Sequence, residues 1–341
     1  MTPLPDNRWF VALSPEGAAR AVGKQVIDAL SRRTGPEAIK VFDCRTYLKA
    51  FSGLLANPEE SMVVDLLNHA LIVQCLDFRT THLLVLPLSP ITLFTLKLLR
   101  NQRVVTIHWF YEDFRQALYW KDVIAGYDYF FAIQKGPIVS ACVSNNVRYA
   151  FLSTAANSDV AFNLPVIGRG SAVDVAFIGI PSPYRIRVLE FLAASGLKLA
   201  IAGAGWNHYR GPLDSSIKNG EWTEASQSVK ILSDATIGLN LSVSDPEIDR
   251  ENTHVSPRVF DILYAGRVLV TEEVPLIHET IGQCAFYSFS DQHEALDVIT
   301  SVISHPESEI GKAIVNREII RARHTYENRV GEILSLTTNS L

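Results

Sequence analysis

What this chain lacks narrows the field first. It has no apolar run of the roughly 18 residues that a membrane-crossing helix needs, and the stretch Met1 to Arg8 is polar and proline-broken, unlike a signal peptide. Those two absences lead to the expectation of a cytoplasmic protein with no transmembrane segment. Cysteine is scarce: Cys44, Cys75, Cys142 and Cys284 are scattered, with no CxxC and no zinc-like spacing, so they are expected as buried thiols in a reducing compartment. No Lys/Arg run stands out and the formal charge is -5, which argues against a nucleic-acid partner. GxGxxG is missing too. Gly203-Ala204-Gly205 is only a fragment of it, which disfavours a dinucleotide oxidoreductase. Finally, there is no DxD-type acidic pair in a suitable strand-end loop and no His/Cys cluster; Asp245-Pro246-Glu247 lies in a loop without that context.

What is present is a strand–helix alternation that runs twice. A chain of 341 residues exceeds the size at which one core keeps growing, so two domains are expected. In the first half, apolar runs at Trp9–Leu13, Ile39–Asp43, His82–Leu88, Val104–Phe110, Tyr127–Ile133 and Tyr149–Ser153 predict strands. Helical patterns lie between them, including Phe114–Ala125. The runs are near-continuous rather than alternating, which is how parallel strands look when helices cover both faces of a sheet. Residues 157–172, rich in Asn, Pro, Gly and Ser, suit a linker. The rhythm then restarts, with strands predicted at Asp174–Gly179, Leu197–Ala202, Thr236–Ser242, Val268–Thr271 and Cys284–Phe289. The expectation is α/β: two doubly wound, Rossmann-like lobes at 1–156 and 173–341, facing a central cleft.

The most informative segment is Ser256-Pro257-Arg258-Val259-Phe260-Asp261-Ile262-Leu263-Tyr264-Ala265-Gly266, with Val268–Thr271 behind it. Ser256 suits a helix cap, Pro257 the first helical position and Gly266 a left-handed stop. Arg258 and Asp261 sit three apart, on one face near the positive end of the helix dipole. A cation beside free backbone N–H groups can hold a diphosphate, and a carboxylate one turn on can accept bonds from ribose hydroxyls. That is the chemistry of a nucleotide-sugar site. The same two residues would equally form a surface ion pair.

The second half resembles the CgeB-like, spore-maturation-protein type of glycosyltransferase. The resemblance rests on Val175-Ala176-Phe177-Ile178-Gly179, Arg187, Leu192 with Gly196, and Ala202-Gly203 with Trp206. It continues through Ile237-Gly238-Leu239-Asn240-Leu241, Arg258-Val259-Phe260-Asp261, Leu269-Val270-Thr271-Glu272 and His324-Thr325-Tyr326 with Arg329. His108-Trp109-Phe110-Tyr111-Glu112-Asp113 and Tyr127-Asp128-Tyr129 match more loosely. The resemblance implies the GT-B fold, with a last helix returning to the first lobe, which His324 would pack or cap. It implies an acceptor lobe followed by a donor lobe, and sugar transfer from a nucleoside-diphosphate sugar to a hydroxyl acceptor without metal or other cofactor.

By the same resemblance, Gly179, Arg187, Trp206, Asn240, Arg258 and Asp261 would line the donor site. Asp261 stands where the family has a glutamate. The acid that many retaining relatives carry two turns earlier has no counterpart at that spacing, Glu251 being the nearest. On the acceptor side, Asp113 or Glu112 would take the acceptor proton as general base, with Asp113 preferred by the resemblance. His108 is an alternative that more often reads as a core histidine, and Trp206 reads at least as well as core filling. Two other readings stay open: an epimerase of nucleotide sugars on the same fold, and a non-catalytic two-lobed nucleotide-sugar-binding or scaffold protein.

Overall fold

The structure is a computed structural model that describes residues 7–55, 58–157, 165–167, 172–245 and 254–338. The chain divides into two compact units. One comprises the residues up to Ser153 together with the segment from Tyr326 onward, the other Thr154–Thr325. The Asp249–Glu251 stretch, and with it the acid nearest the spacing discussed above, lies outside the described residues, as does most of 157–172.

The N-terminal unit is built from β1 (Trp9–Leu13), α1 (Gly17–Thr34), β2 (Ile39–Asp43), α2 (Cys44–Leu54), α3 (Glu60–Asp77) and β3 (His82–Val85). It continues with α4 (Leu93–Asn101), β4 (Val105–Phe110), the single turn α5 (Trp120–Val123), β5 (Tyr129–Ala132), α6 (Pro137–Ser144) and β6 (Arg148–Phe151). Its six strands are ordered β2-β1-β3-β4-β5-β6, and every pairing is parallel. Burial on both faces explains the unbroken apolar runs: Phe10, Phe42, Leu83, Phe110 and Phe130 are fully enclosed with Leu67 and Leu71 of α3. Each such side chain contributes on the order of 1.5–3 kcal/mol.

The C-terminal unit repeats the scheme. It contains β7 (Val173–Ile178), α7 (Pro183–Ala194), β8 (Leu199–Ala202), β9 (Ile217–Asn219), α8 (Ala225–Ser233), β10 (Ala235–Asn240), α9 (Pro257–Tyr264) and β11 (Val268–Glu272). Then come α10 (Pro275–Ile281), β12 (Tyr287–Phe289), α11 (Gln292–Ser304) and α12 (Ile310–Arg323). The order is β12-β11-β10-β7-β8-β9, again all parallel. From β7 the chain builds outward through β8 and β9, then returns to β7's other side and builds through β10, β11 and β12. Strand order therefore reverses between β7 and β10, where a doubly wound sheet opens a crevice at its carboxyl edge. The corresponding reversal in the N-terminal unit lies between β1 and β3.

A last helix, α13 (Tyr326–Thr337), packs on α1 and so belongs to the N-terminal unit. Arg329, almost fully buried, fixes its start by donating from Nε and Nη2 to the Ser153 carbonyl and hydroxyl, each at 2.9 Å. His324, at the C-terminal end of α12, caps that helix by donating its N–H to the Ile320 carbonyl, and its ring lies against Phe260.

One sequence expectation gives way, and two short elements escape it. Phe114–Ala125 is not one helix: the Phe114 N–H is held by the Gln134 side chain and the Trp120 indole donates to the Phe114 carbonyl, so only a short turn forms. β9 and α10 carry no pattern strong enough to predict, being three and seven residues long. Among the described residues no helix is long and apolar enough to cross a membrane. The four cysteines are buried and unpaired.

Candidate functional site

The carboxyl edge of the C-terminal unit gathers its site from the ends of β7, β10 and β11 and the starts of α7 and α9. Ser256 accepts the Arg258 N–H at 3.2 Å, Pro257 takes the first helical position, and Gly266 adopts a left-handed φ of 68° beyond the last turn. A Cβ at Gly266 would fall 2.3 Å from the Arg317 guanidinium, so the position demands glycine on two counts. The helix starts and stops as its sequence indicates.

One part of the expected chemistry changes. The N–H of Arg258 is held by the Ser256 hydroxyl and that of Val259 by the Ser256 carbonyl at 3.1 Å. Attraction for an anion at this end therefore rests on the Arg258 guanidinium and the dipole rather than on those two N–H groups.

Arg258 donates from Nη1 to Asp261 Oδ2 at 3.1 Å, and both side chains are about a quarter exposed, at 24%. The ion pair is present, yet it does not satisfy the cation: Arg258 Nε is buried with no hydrogen-bond partner among the described residues. A charged donor left in that state costs more than an ordinary missing bond, which marks a place for an acceptor. Asp261 also receives the Asn157 N–H at the long distance of 3.5 Å. Burial raises its carboxyl above the usual range, with Arg258 pulling the other way.

A second cation stands in the same field. Arg185, in the first turn of α7, sends Nε and Nη2 to the Leu241 carbonyl at 3.2 and 2.6 Å. Nε also reaches the Ser242 carbonyl at 3.1 Å, and Nη1 the Ile180 carbonyl at 2.9 Å. It thereby ties the loop after β7 to the loop after β10, across the reversal of strand order. Burial first, and the charge of Arg258 after it, bring the Arg185 guanidinium down to about 10, against the pull of Glu272. It remains charged at neutral pH. Glu272, at the tip of β11 and 2% exposed, accepts the Ser242 N–H at 2.7 Å, and its carboxyl is raised by burial. Two guanidinium groups that repel each other, one with an unpaired N–H, form the strongest anion-attracting feature of this edge.

The other expected donor residues take different places. Arg187 points out, bonds Asp245 and lies over the Tyr184 ring, with its side chain 58% exposed. It is Arg185, two residues earlier, that reaches the strand ends. Trp206 is 1% exposed and donates its indole N–H to the Gly179 carbonyl at 2.7 Å. Its ring is enclosed and cannot stack on a base, so it fixes the turn after β7 instead. Gly179 does lie in that turn; a Cβ there would meet Arg185 Nη1 at 3.2 Å. The neighbouring Gly203, with φ of 143°, would bring a Cβ to 2.3 Å from the Gly179 carbonyl, so these two loops touch through bare backbone. Asn240 is buried at the end of β10 and commits its amide to Thr271 at 2.9 Å. The sequence-based donor set passes over Glu272 and names Arg187 on α7 but not Arg185. The available signal was their position at a strand tip and a helix first turn.

In the N-terminal unit the corresponding edge carries carboxylates. Asp113 is 9% exposed and held by Arg115, whose Nε and Nη2 donate at 3.0 and 2.6 Å and whose backbone N–H adds 2.9 Å. Glu112 makes no ion pair with a described residue, is half-buried, and has its carboxyl raised by burial and by Asp113. His108 is fully enclosed: Nδ1 donates to the Val85 carbonyl at 2.7 Å, so Nε2 is left to accept from Tyr119 at 3.3 Å. Burial takes it down to about 4, and Tyr127 stacks on it at 4.9 Å. It is a satisfied core histidine that stays neutral. Among the described residues no three His, Cys, Asp or Glu side chains gather as metal ligands.

Residues 185–335 match a family model described as glycosyl transferase-like. Among solved structures, sucrose-phosphate synthase from Thermosynechococcus elongatus superposes with a TM-score of 0.67 at 10% identity, over 98% of this chain and 99% of that one. The Anabaena protein Alr3699/HepE, in complex with UDP and glucose, gives 0.63 at 11% identity over 98% and 100%. The fold is GT-B. UDP-GlcNAc 2-epimerase from Neisseria meningitidis, bound to UDP-GlcNAc, shares the architecture with a TM-score of 0.56 at 12% identity over 98% and 100%. Curated protein sequences give no match.

Proposed function

We propose that this chain is a glycosyltransferase that moves a sugar from a nucleoside-diphosphate sugar to a hydroxyl-bearing acceptor, of the CgeB-like type. The observation that carries the reading is the guanidinium pair Arg185 and Arg258, with Arg258 Nε unpartnered, at the strand-order reversal of a unit whose sequence is glycosyltransferase-like. A diphosphate satisfies Arg258 and relieves its repulsion with Arg185. The two cations and the α9 dipole take up the charge of the departing diphosphate, so the reaction needs no bound metal. Asp261 receives the ribose hydroxyls. UDP is the first nucleotide to test, because HepE is described in complex with it.

On the acceptor side, Glu112 is the stronger base, since Arg115 holds Asp113 in an ion pair. A carboxyl raised by burial is a better proton acceptor than an ordinary one when ionised. Sugar transfer then proceeds by attack of the deprotonated acceptor oxygen on the anomeric carbon as the nucleoside diphosphate leaves.

The deciding experiment is a thermal-shift panel of UDP, GDP, TDP and CDP on the wild type and Asp261→Asn. A nucleotide at a hundred times its dissociation constant stabilises the fold by about 2.7 kcal/mol. Silence from all four defeats the donor reading. A shift indifferent to Asp261→Asn removes only the ribose assignment. The epimerase on the same fold favours a second reading, separated by incubating donor alone and looking for the epimer. A nucleotide response without transfer or epimer formation would leave a binding protein.

A further inference from the structure

Helix α3 is apolar on the side that faces solvent as well as on the side that faces the sheet. Its inner face is Val63, Leu67, Leu71 and Cys75, all buried. On the opposite side Met62, Leu66, His69, Val73 and Leu76 recur at intervals of four, three, four and three residues, and all five are exposed. That spacing is the seam of a coiled coil, and here four of its five members are apolar. It runs about 21 Å along the helix. The neighbouring segments leave it open. Gln74 donates to the Tyr47 hydroxyl of α2 at 2.5 Å on one flank. Asn68 grips the Pro90 carbonyl at 2.9 Å and the Thr92 N–H at 3.0 Å, ahead of α4, on the other.

Single exposed apolar side chains are ordinary on any protein surface. A contiguous row of them on one helix is not. Helix α1 shows the usual pattern at the same length of 18 residues, presenting Lys24, Asp28 and Arg32 to solvent. Helix α3 contains no lysine or arginine at all. A helix that is apolar on both sides belongs in a buried position.

Charge at the two ends of the seam decides what covers it. The N-terminal end is acidic, with Glu59, Glu60 and Asp65 exposed. The C-terminal end is net positive: Arg79 is exposed, and Lys40 offsets Asp77 at 4.0 Å. A second α3 lying antiparallel sets each acidic end against the other's Arg79 and Lys40, whereas a parallel one stacks acid on acid. With the two-fold axis at His69, Met62 faces Leu76, Leu66 faces Val73, and His69 meets its own mate. A slip along the axis sets each imidazole against an aliphatic side chain, so the lone polar position fixes the register. A lipid surface favours Lys and Arg beside an apolar stripe, and α3 offers acids instead.

We propose that a second copy of this chain docks on α3, antiparallel, to form a two-fold dimer. The interface uses none of the residues assigned to sugar transfer, so it stands or falls apart from that reading.

Sedimentation of the full chain shows a dimer, and the pair Met62→Glu, Val73→Glu leaves a monomer with unchanged far-UV circular dichroism. Both side chains are more than half exposed, at 51% and 65%, so the pair folds. Two further measurements answer should it not. Glu59→Arg with Glu60→Arg weakens the dimer by about tenfold or more, and adding Arg79→Glu to the same chain restores it. A short bismaleimide links His69→Cys to its mate but not Met62→Cys, whose two copies lie about 21 Å apart; the native cysteines are buried. A monomer at about 100 µM, a dimer that ignores the Met62→Glu, Val73→Glu pair, or equal linking through Met62→Cys overturns the proposal. So does flotation of the wild type on phosphatidylglycerol vesicles that this pair abolishes, because the seam then belongs to a membrane surface.

Discussion

The two units share one architecture and differ in what stands at the strand tips. Both are six-stranded parallel sheets whose strand order reverses once. At the carboxyl edge of the C-terminal unit, Arg185 and Arg258 concentrate positive charge. At the same edge of the N-terminal unit stand Glu112 and Asp113, with Asp43 held by Arg20 in a two-pronged ion pair at 2.7 Å. On the proposed reading, one frame offers an anion a landing place and the other a hydroxyl a proton acceptor. Nothing in the sheets themselves requires this, since the strand interiors are apolar in both; a few residues beyond each strand carry the difference.

Four experiments break or sharpen that contrast, and the first should have the largest effect. Glu112→Gln keeps shape and removes the proposed base, and kcat is expected to fall by about 10²–10⁴. The pH profile supplies the sign. Burial and Asp113 raise the Glu112 pKa, so the base is lost as pH falls through a value above the usual glutamate range. The acid limb of kcat/KM should sit correspondingly high and vanish in the variant. An unchanged limb would move the base elsewhere.

Next comes Arg258→Ala. Removing a charge-assisted contact of roughly 1.5–3 kcal/mol should weaken UDP binding by about 10–150-fold in calorimetry. Wild-type affinity in that variant would empty the cationic edge of its meaning.

Trp206→Phe should cost about 1 kcal/mol in denaturant unfolding, because the Gly179 carbonyl loses its donor. Its effect on UDP affinity should stay below tenfold. A larger loss would return the ring to the base-binding role that its burial argues against.

Arg187→Ala is the smallest. An exposed ion pair is worth at most about 1 kcal/mol, so stability and affinity should both hold nearly constant. A collapse of affinity would restore Arg187 over Arg185.

The sequence shows the strands clearly and the site only in outline. Unbroken apolar runs such as Leu83–Val85 and Leu239 with its neighbours mark parallel, twice-covered strands. The caps of α9 are chemically local and therefore legible, from the Ser256 hydroxyl to the left-handed Gly266. Tertiary packing hides the rest. Arg185 and Arg187 lie two apart on one helix, about 200° around its axis, and sequence spacing does not say which of them turns inward. Phe114–Ala125 has a helical pattern, but Gln134 captures its first N–H from another part of the sheet. Asp113 reads as an unpaired acid at a strand tip, and the turn after β4, not the spacing, brings Arg115 onto it.

The return of α13 to the N-terminal unit has a consequence for the order of assembly. A ribosome releases the residues before Thr154 first, yet they lack the helix that covers α1 and the Arg329 that secures Ser153. Thr154–Thr325 is continuous and can close its own core while that earlier half still waits. The half made first is therefore the half completed last, and a stop codon just after Thr325 would damage the beginning of the protein more than its end.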